Sequence, residues 1–372
     1  MSLRIAGMGW VTPLGRGIDP VWDRLIRRDE AIAQPISDSI SEKVYSAFRV
    51  PADALKDLLP HPRLRRASAI SRFAAAAGLD ALAQARSTVG KIDAERIALV
   101  FAVSNGGVIY TKRFYHNVVE SGAQSASPLL FPETVFNAPA SHLAAILGIA
   151  GASYTLVGDG AVGVLAMKMA SDLLENKACE FCLVVGAEEA DWVLCDAYHK
   201  WRLLKKEPPI RLFHEPPHGM ILSEGGGAVL LARQGPVRID RIDAGGNFSH
   251  RREANEIMHR ILHGLADEQA CIVASANGTF IDLVERAAIE KELPSAIIYS
   301  PKPALGESVG ASAVWQVIVA AQALRTKCLP QMLHSGRPMG LSFPTINKTS
   351  WTKAIVLSCG LNQQVAGLRL SI

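Results

Sequence analysis

The 372-residue sequence has few charged and few aromatic residues, and it lacks the features of several protein classes. Charged residues make up 20% of it and aromatic residues 6%, and the formal net charge at pH 7 is +4. A nucleic-acid-binding protein usually carries a concentrated basic stripe, whereas the basic residues here form only local clusters. We therefore expect no nucleic-acid partner. An acidic protein suits these clusters better than a polyanion does.

The sequence also lacks an apolar run as long as a membrane-spanning helix. The N-terminus has no basic region followed by a long apolar stretch. These absences predict a cytoplasmic protein without a membrane span. Hydrophobic residues nevertheless make up 49% of the chain, enough to bury a substantial core. The length fits one large globular unit or two packed domains.

Cysteine ligands for a metal usually come in two pairs, and the chain has a single C-x-x-C, at Cys179 and Cys182. Cys182 begins the apolar run CLVVGA, which is typical of a buried strand. We therefore interpret both residues as core cysteines and predict no metal site.

Strand-like and helix-like segments alternate along the chain. The pattern predicts strands at 3–10, 97–103, 154–158, 271–276, 296–300, 354–358 and 367–371. It predicts helices at 20–29, 66–87, 253–267, 280–291 and 310–325. Such alternation favours stacked α/β layers with mainly parallel sheets. Gln234, Gly235 and Pro236 interrupt the pattern after a strand, so we predict two domains, at 1–235 and 236–372.

Four passages resemble the β-ketoacyl-acyl carrier protein synthases, in particular the elongating members and their chain-length-factor relatives. They are IAGMGWVTPLG (5–15), SPLLFPETVFNAPASHLAAILGIAG (127–151), IRLFHEPPHGMILSEGGGAVLL (210–231) and YSPKPALGESVGAS (299–312). Each passage alone is a weak signal, but four in the right order and spacing are specific. The resemblance implies an α/β, thiolase-like fold in which two similar halves stack as α-β-α-β-α layers.

The resemblance also implies the functional groups that such a synthase needs. A cysteine lies at a strand-to-helix turn, where the helix N-terminus stabilises its thiolate. Two histidines stabilise the enolate that forms when a malonyl group loses carbon dioxide, and a lysine sets the electrostatics of one of them. The motifs place Gly160 at the cysteine position, Asn277 and Glu307 at the histidine positions, and Lys302 at the lysine position.

These substitutions remove the expected chemistry. Gly160 has no side chain and cannot form a thioester. Asn277 can donate a hydrogen bond but does not titrate near neutral pH, and a carboxylate at Glu307 would repel an enolate. The family's acid partner for the lysine aligns with Gln316. We therefore expect Glu307 to form an ion pair with Lys302 instead.

The pattern favours a catalytically degenerate subunit that pairs with an active ketosynthase. In this interpretation it acts as a chain-length factor in fatty acid or polyketide (for example aryl polyene) biosynthesis, without condensing activity of its own. The alternative is a thiolase-fold acyltransferase or hydrolase that acts on acyl-carrier-protein thioesters through Asp159, Cys359 or Glu307. The sequence leaves open which of these it is.

The resemblance implies a partner and the residues that meet it. Family members dimerise through the strand before the nucleophile, here Ser153–Val157, so we expect a ketosynthase homologue or a second copy as partner. Residues 130–137 correspond to a segment that reaches into the neighbouring subunit's acyl tunnel. In that segment Leu130, Phe131 and Phe136 are bulky enough to stop an acyl chain.

The resemblance implies substrate-binding roles for Leu130, Phe131, Thr134, Phe136, Thr279 and Leu361. Thr279 matches a position that contacts the pantetheine arm. Leu361 lies in a loop whose family counterpart, Gly-Phe-Gly-Gly, gates the acyl site, and the loss of its glycines predicts a gate fixed in one state. We expect no cofactor, and the phosphopantetheine arm of a carrier protein is the expected ligand.

Two basic clusters match the positions at which family members dock the acyl carrier protein. They are Arg63, Arg65, Arg66 and Arg72, and Lys205 with Lys206. An ordinary solvated helix face explains each cluster equally well. The clusters can act together only if the fold brings them to one face.

Overall fold

The computed structural model describes residues 3–38, 41–58, 60–336, 340–344 and 351–372. Its strands are β1 (Leu3–Thr12), β2 (Gly15–Arg16), β3 (Ala33–Ser37), β4 (Val44–Phe48), β5 (Ile97–Val103), β6 (Ser153–Val157), β7 (Phe181–Glu188), β8 (Leu222–Ser223), β9 (Gly225–Ala232), β10 (Val237–Asn247), β11 (Ala270–Val273), β12 (Ile298–Tyr299), β13 (Lys353–Cys359) and β14 (Gln364–Ser371). Its α-helices are α1 (Ile18–Ile26), α2 (Ala69–Val89), α3 (Val108–Ser121), α4 (Ala138–Leu147), α5 (Val162–Glu175), α6 (Trp192–Lys200), α7 (Arg251–Leu265), α8 (Ile281–Glu292), α9 (Lys302–Leu305) and α10 (Ser312–Thr326). Every predicted strand and helix is present, with its ends shifted by a few residues.

The main sheet has the strand order β12-β11-β13-β14-β10-β1-β9-β7-β5-β6, with β2 added beside β1. It consists of two five-stranded halves with the same pattern of directions. In one half β6, β5 and β7 are parallel, whereas β9 and β1 follow as antiparallel neighbours. In the other half β12, β11 and β13 are parallel, and β14 and β10 follow antiparallel. Residues 3–5 pair with 237–239 and join the halves.

The prediction of mainly parallel sheets is therefore wrong. Only residues 360–363 separate β13 from β14. A connection this short can join only antiparallel strands, because a parallel pairing needs a crossover of a dozen or more residues. The division into domains at residue 235 stays a prediction.

The helices form three layers around the two halves of the sheet. Helices α5 and α10 contact strands of both halves and make the central layer. Helices α2 and α4 cover the outer face of one half, and α7 covers the other, with α8 packed against α7. This is the expected α-β-α-β-α stack, so the predicted thiolase-like fold is confirmed. Within the described ranges, no helix has the length and apolar character needed to cross a membrane.

Helix α2 packs closely against β1 because β1 carries glycine where the two elements touch. A Cβ atom on Gly7 would lie 2.2 Å from the carbonyl oxygen of Ala81, and one on Gly9 would lie 2.3 Å from that of Ala77. Neither distance is possible for real atoms. A larger residue at either strand position would push the helix off the sheet.

Strand β6 is the outermost strand of its half and pairs with β5 on one side. Large apolar side chains are exposed on β6 and on neighbouring segments of α3 and residues 126–137. They are Tyr115, Val119, Leu129, Phe131, Val135, Phe136, Tyr154 and Val157. An open edge strand beside exposed apolar side chains is typical of a surface that meets another chain.

Candidate functional site

The turn between β6 and α5 carries Gly160, the residue that the motifs align with the family's nucleophile. Gly160 is buried, and a Cβ atom placed on it would lie 3.2 Å from the carbonyl oxygen of Cys359 and 3.5 Å from the Cα of Gly360. The Ser358 hydroxyl donates to the Gly160 carbonyl oxygen at 2.8 Å. The loop after β13 therefore closes directly over the turn, and no side chain at this position can attack a thioester.

Asp159 fastens that loop to the turn. Its Oδ2 accepts hydrogen bonds from the backbone N–H groups of Asn362 at 3.2 Å and Gln363 at 3.0 Å. A Cβ atom on Gly360 would lie 2.0 Å from the Asp159 carboxylate oxygens, so the contact requires glycine there. Burial raises the pKa of Asp159, although the backbone hydrogen bonds oppose the shift. That this loop is a gate held in one state stays a prediction.

The two histidine positions and the lysine form a closed network. Lys302 Nζ forms an ion pair with Glu307 Oε2, as the sequence predicted. The Asn277 Nδ2 donates to the same oxygen at 2.8 Å. The Asn277 Oδ1 in turn accepts the Thr279 hydroxyl at 2.7 Å. The four residues are at most 3% exposed. The Glu307 carboxylate, the Asn277 amide and the Thr279 hydroxyl group therefore all have hydrogen-bond partners within the protein.

Glu307 also lies against the start of α10. Its Oε1 accepts the Val309 N–H at 2.9 Å and the Ser312 hydroxyl at 2.6 Å. Burial opposes ionisation, but the charge of Lys302 and the hydrogen bonds from Lys302, Ser312 and Asn277 outweigh it and lower the pKa of Glu307. A helix N-terminus attracts negative charge. The carboxylate of Glu307 therefore fills a position that would otherwise stabilise an anion.

Gln316 has taken a different role from the acid that the family pattern places there. Gln316 is fully buried, and its Nε2 donates to the carbonyl oxygen of Leu357 on β13 at 2.8 Å. The negative charge beside Lys302 is thus supplied by Glu307, while Gln316 on α10 is neutral. The lysine has a counter-charge, and Glu307 accepts hydrogen bonds rather than donating them.

Comparison with known proteins agrees with this architecture. Residues 2–235 match the model of the β-ketoacyl synthase N-terminal domain, and residues 247–335 match that of its C-terminal domain. The chain belongs to the β-ketoacyl synthase family. It is 21% identical over 367 residues to 3-oxoacyl-[acyl-carrier-protein] synthase 2 of Vibrio cholerae, covering 90% of this chain and 88% of that one. It is 24% identical over 382 residues to the Rhizobium meliloti protein of that name, covering 90% and 89%.

Solved structures of β-ketoacyl synthases share the fold at low sequence identity. A β-ketoacyl synthase from Burkholderia phymatum matches with a TM-score of 0.85 at 18% identity, covering 100% of this chain and 99% of that one. A chain of the ishigamide ketosynthase/chain length factor matches with a TM-score of 0.84 at 17% identity, covering 100% of this chain and 98% of that one. A chain from the complex of a Xenorhabdus doucetiae ketosynthase with its chain length factor matches with a TM-score of 0.82 at 18% identity, covering 100% of this chain and 98% of that one.

The other residues implied by β-ketoacyl synthases lie in three places. Leu361 is buried in the loop above the turn, and Thr279 is buried in the network with Asn277. Phe131 and Phe136 are 56% and 45% exposed. The Phe136 ring packs over Gly106, while Thr134 donates to the Phe131 carbonyl oxygen at 2.8 Å and Leu130 is half-buried. Within this chain, the segment 130–137 is therefore a surface element. Its contact with a partner tunnel stays a prediction.

The two predicted docking clusters differ in the solvent exposure and hydrogen bonding of their charged groups. Arg63, Arg65, Arg66 and Arg72 are all exposed. Lys205 is half-buried and donates to the Pro209 carbonyl oxygen at 2.9 Å, and burial lowers its pKa. The arginines are therefore better placed than Lys205 to meet a carrier protein of a β-ketoacyl synthase. Their role stays a prediction.

Sequence reasoning missed a set of buried carboxyl groups around the site. Burial raises the pKa of Glu188 to about 8, of Glu189 and Glu285 to about 7, and of Asp282 to about 6. Each also accepts backbone N–H groups, for example Ser275 N–H at 2.7 Å to Glu285. The signal available in the sequence was an acidic residue next to an apolar strand. How deeply each carboxyl group is buried depends on segments that are distant in the chain.

These acids predict that the protein becomes less stable as the pH rises. In the folded state they bind protons that the unfolded state releases above its lower pKa, so the free energy of unfolding should fall between about pH 4.5 and pH 8. Urea unfolding at pH 5.5, 7 and 8 measures this. A Glu188→Gln variant should show a flatter decline near pH 8. A midpoint that rises with pH across this window contradicts the prediction.

Proposed function

We propose that the chain is a non-catalytic partner of an active ketosynthase and limits the length of the acyl chain that the partner builds. Fatty acid and polyketide pathways, including those of aryl polyenes, are the setting in which such a subunit acts. We assign it to the cytoplasm.

The closed network of Lys302, Glu307, Asn277 and Thr279 carries the proposal. Decarboxylation needs donors that face the developing enolate, and here the Asn277 amide donates to Glu307 instead. Glu307 brings a negative charge to the same place. Together with a side-chain-free Gly160, this arrangement supports neither acyl transfer nor condensation by the family mechanism.

The surface around β6 supports the pairing with another chain. Tyr154 and Val157 on the strand are 41% and 54% exposed. An edge strand whose apolar side chains face solvent invites strand addition. Structures of two relatives, from Xenorhabdus doucetiae and the ishigamide system, contain a ketosynthase and a chain length factor. We therefore propose a ketosynthase homologue as the partner, with a second copy of this chain as the other option.

An acyl carrier protein is the proposed third component. Its acidic surface would meet the exposed arginines at 63–72, and its phosphopantetheine arm would enter the partner's site. No bound cofactor is needed for this role.

Altered chemistry on the same scaffold is less well supported by the geometry. Both oxygens of Glu307 are occupied by donors. Burial raises the pKa of Cys359 well above its ordinary value, which keeps it a thiol. Asp159 has a buried Oδ1 without a hydrogen-bond partner among the described residues, so it is the one candidate with a free atom.

The chain should not become acylated. Incubation with a carrier protein that bears a labelled acyl group should leave its intact mass unchanged, because no nucleophile stands at the turn. Mass spectrometry of the whole chain measures this. A stable single adduct that maps to Asp159 or Cys359 would overturn the proposal and favour an acyltransferase or hydrolase.

The Gly160→Cys variant is the matched control. It returns a thiol to the turn, but the thiol must fit against the Cys359 carbonyl oxygen, which lies 3.2 Å from an ideal Cβ. We expect slow acylation at most, and no condensation, because Asn277 and Glu307 still close the second half of the site. Efficient condensation by this single variant would show that our account of the network is wrong.

A further inference from the structure

A cavity of about 1010 Å³ lies between residues 50–58 and 60–73 on one side and the first turns of α3 on the other. Apolar side chains form much of its wall, among them Leu55, Leu64, Phe73 and Ile109. The cavity is as large as those that hold small-molecule ligands. None of the residues of the network around Glu307, and none of residues 130–137, lines it. It is therefore separate from the site described above.

Positive charge surrounds the mouth of this cavity. Lys56, Arg65, Arg72 and Arg113 all line it, and all four are exposed. In the part of the chain that the structure describes, none of the four forms an ion pair. The chain as a whole has 39 basic and 35 acidic residues, so this grouping is a local feature. A cleft lined by charges of one sign concentrates ligands of the opposite sign.

The inner wall holds a carboxyl group that is incompletely hydrogen-bonded. Glu189 lines the cavity and is 2% exposed. Its Oε1 accepts the Ile109 N–H at 3.2 Å, whereas its Oε2 has no hydrogen-bond partner among the described residues. Burial raises the pKa of Glu189 to about 7, so both protonation states exist near neutral pH. A hydroxyl group suits both, because it can donate to the carboxylate and accept from the acid.

We propose that this cavity binds a hydroxylated acyl chain with an anionic head group. The head lies against the basic mouth, the chain packs on Leu55, Leu64 and Phe73, and the hydroxyl group reaches Glu189. A free hydroxy fatty acid and a hydroxyacyl phosphopantetheine share this chemistry. The inference goes beyond the proposed function, and its failure would leave that function untouched.

The test is calorimetric titration of the full chain with 3-hydroxydodecanoate and 12-hydroxydodecanoate, which bracket the position of the hydroxyl group. Dodecanoate lacks the hydroxyl and dodecan-1-ol lacks the anion. At least one hydroxy acid should bind about threefold or more tighter than dodecanoate, and dodecan-1-ol about tenfold weaker. If 3-hydroxydodecanoyl phosphopantetheine binds more tightly, the natural ligand is an acyl chain carried by a carrier protein. If 3-hydroxydodecanoate binds more tightly, the natural ligand is a free hydroxy fatty acid.

Variants locate the site. The double variant Arg72→Gln/Arg113→Gln should weaken the binding of the hydroxy acid about tenfold. The matched Arg66→Gln variant should not, because Arg66 is an exposed arginine outside the cavity lining. Glu189→Leu should abolish the preference for the hydroxyl group. Should Glu189→Leu fail to fold, Ile109→Trp fills the cavity instead and should abolish binding.

Three results would overturn the proposal. They are no binding of any acyl anion up to its solubility, binding that ignores Arg72→Gln/Arg113→Gln, and binding of an acidic carrier protein to the arginines without uptake of any free acyl anion. The last result would make the region a protein-docking surface only.

Discussion

Replacing Glu307 by glutamine should lower the free energy of unfolding by about 3–5 kcal/mol at pH 7, because it leaves a buried cation without its counter-charge. Glutamine keeps the size of the side chain, so the effect reports charge rather than a cavity. Lys302 and Glu307 are 3% and 2% exposed, and water cannot take over the role of the lost partner. Urea unfolding at fixed protein concentration measures the change.

The expected loss depends on pH in a defined direction. The pKa of Glu307 in the folded state lies below its ordinary 4.5. The stabilisation by the Glu307 carboxylate is therefore complete above about pH 4.5, and it disappears as the pH falls through the lower pKa of the folded state. The difference between wild type and Glu307→Gln should shrink accordingly below pH 4.5.

Two further variants separate the buried pair from surface charge. Glu256→Gln removes the acid of the exposed Arg252–Glu256 pair and should leave the unfolding midpoint unchanged. Lys302→Met/Glu307→Leu replaces both buried charges and should recover most of the lost stability. A Glu307→Gln variant as stable as wild type would mean that Lys302 is not held as a buried cation. The proposal that this network cannot support decarboxylation would then lose its main support.

Phe136→Ala should lengthen the products of the assembled ketosynthase. If the 130–137 segment closes the partner's acyl tunnel, removal of the ring opens space for a few methylene groups, each worth about 0.8 kcal/mol when buried. Its 45% exposure in the single chain leaves the ring available to a partner. Reconstitution with the partner ketosynthase, carrier protein and malonyl donor, followed by analysis of product lengths, measures the shift. The partner's rate should change little.

Trp201→Ala is the matched control, since Trp201 is a large aromatic residue that is 59% exposed at the end of α6. It should leave the product lengths unchanged. Identical length distributions for wild type and Phe136→Ala would remove the steric role of the segment. Full activity of the partner without this chain would remove the role of an obligate subunit as well.

Sequence patterns predicted those parts of the structure that depend on residues close together in the chain. Lys302 and Glu307 are five residues apart, so their ion pair followed from the motif once Gln316 was aligned with the family's acid. Strands such as β5 and β7 showed clear apolar runs. The alignment of Gly160 with the nucleophile rests on the fixed spacing between the turn and the helix after it, and it stays a prediction.

Features built from distant segments could not be read in this way. The direction of β1, β9 and β10 depends on partners far away in the chain, and the prediction of parallel pairing failed there. Asp159 contacts residues about two hundred positions later. The cavity beside Glu189 needs residues 50–58, residues 60–73 and α3 together. No local pattern contains such information.

The ion pair between Lys302 and Glu307 makes positions 302, 307 and 316 depend on one another. A histidine at position 307 would leave Lys302 without a counter-charge, because Gln316 is neutral and donates to the Leu357 carbonyl oxygen. An acid at position 316, which the family pattern places beside the lysine, would put two carboxylates around one cation. Each of these single substitutions should therefore lower the free energy of unfolding. The three positions should accordingly vary together among related sequences, as one electrostatic unit.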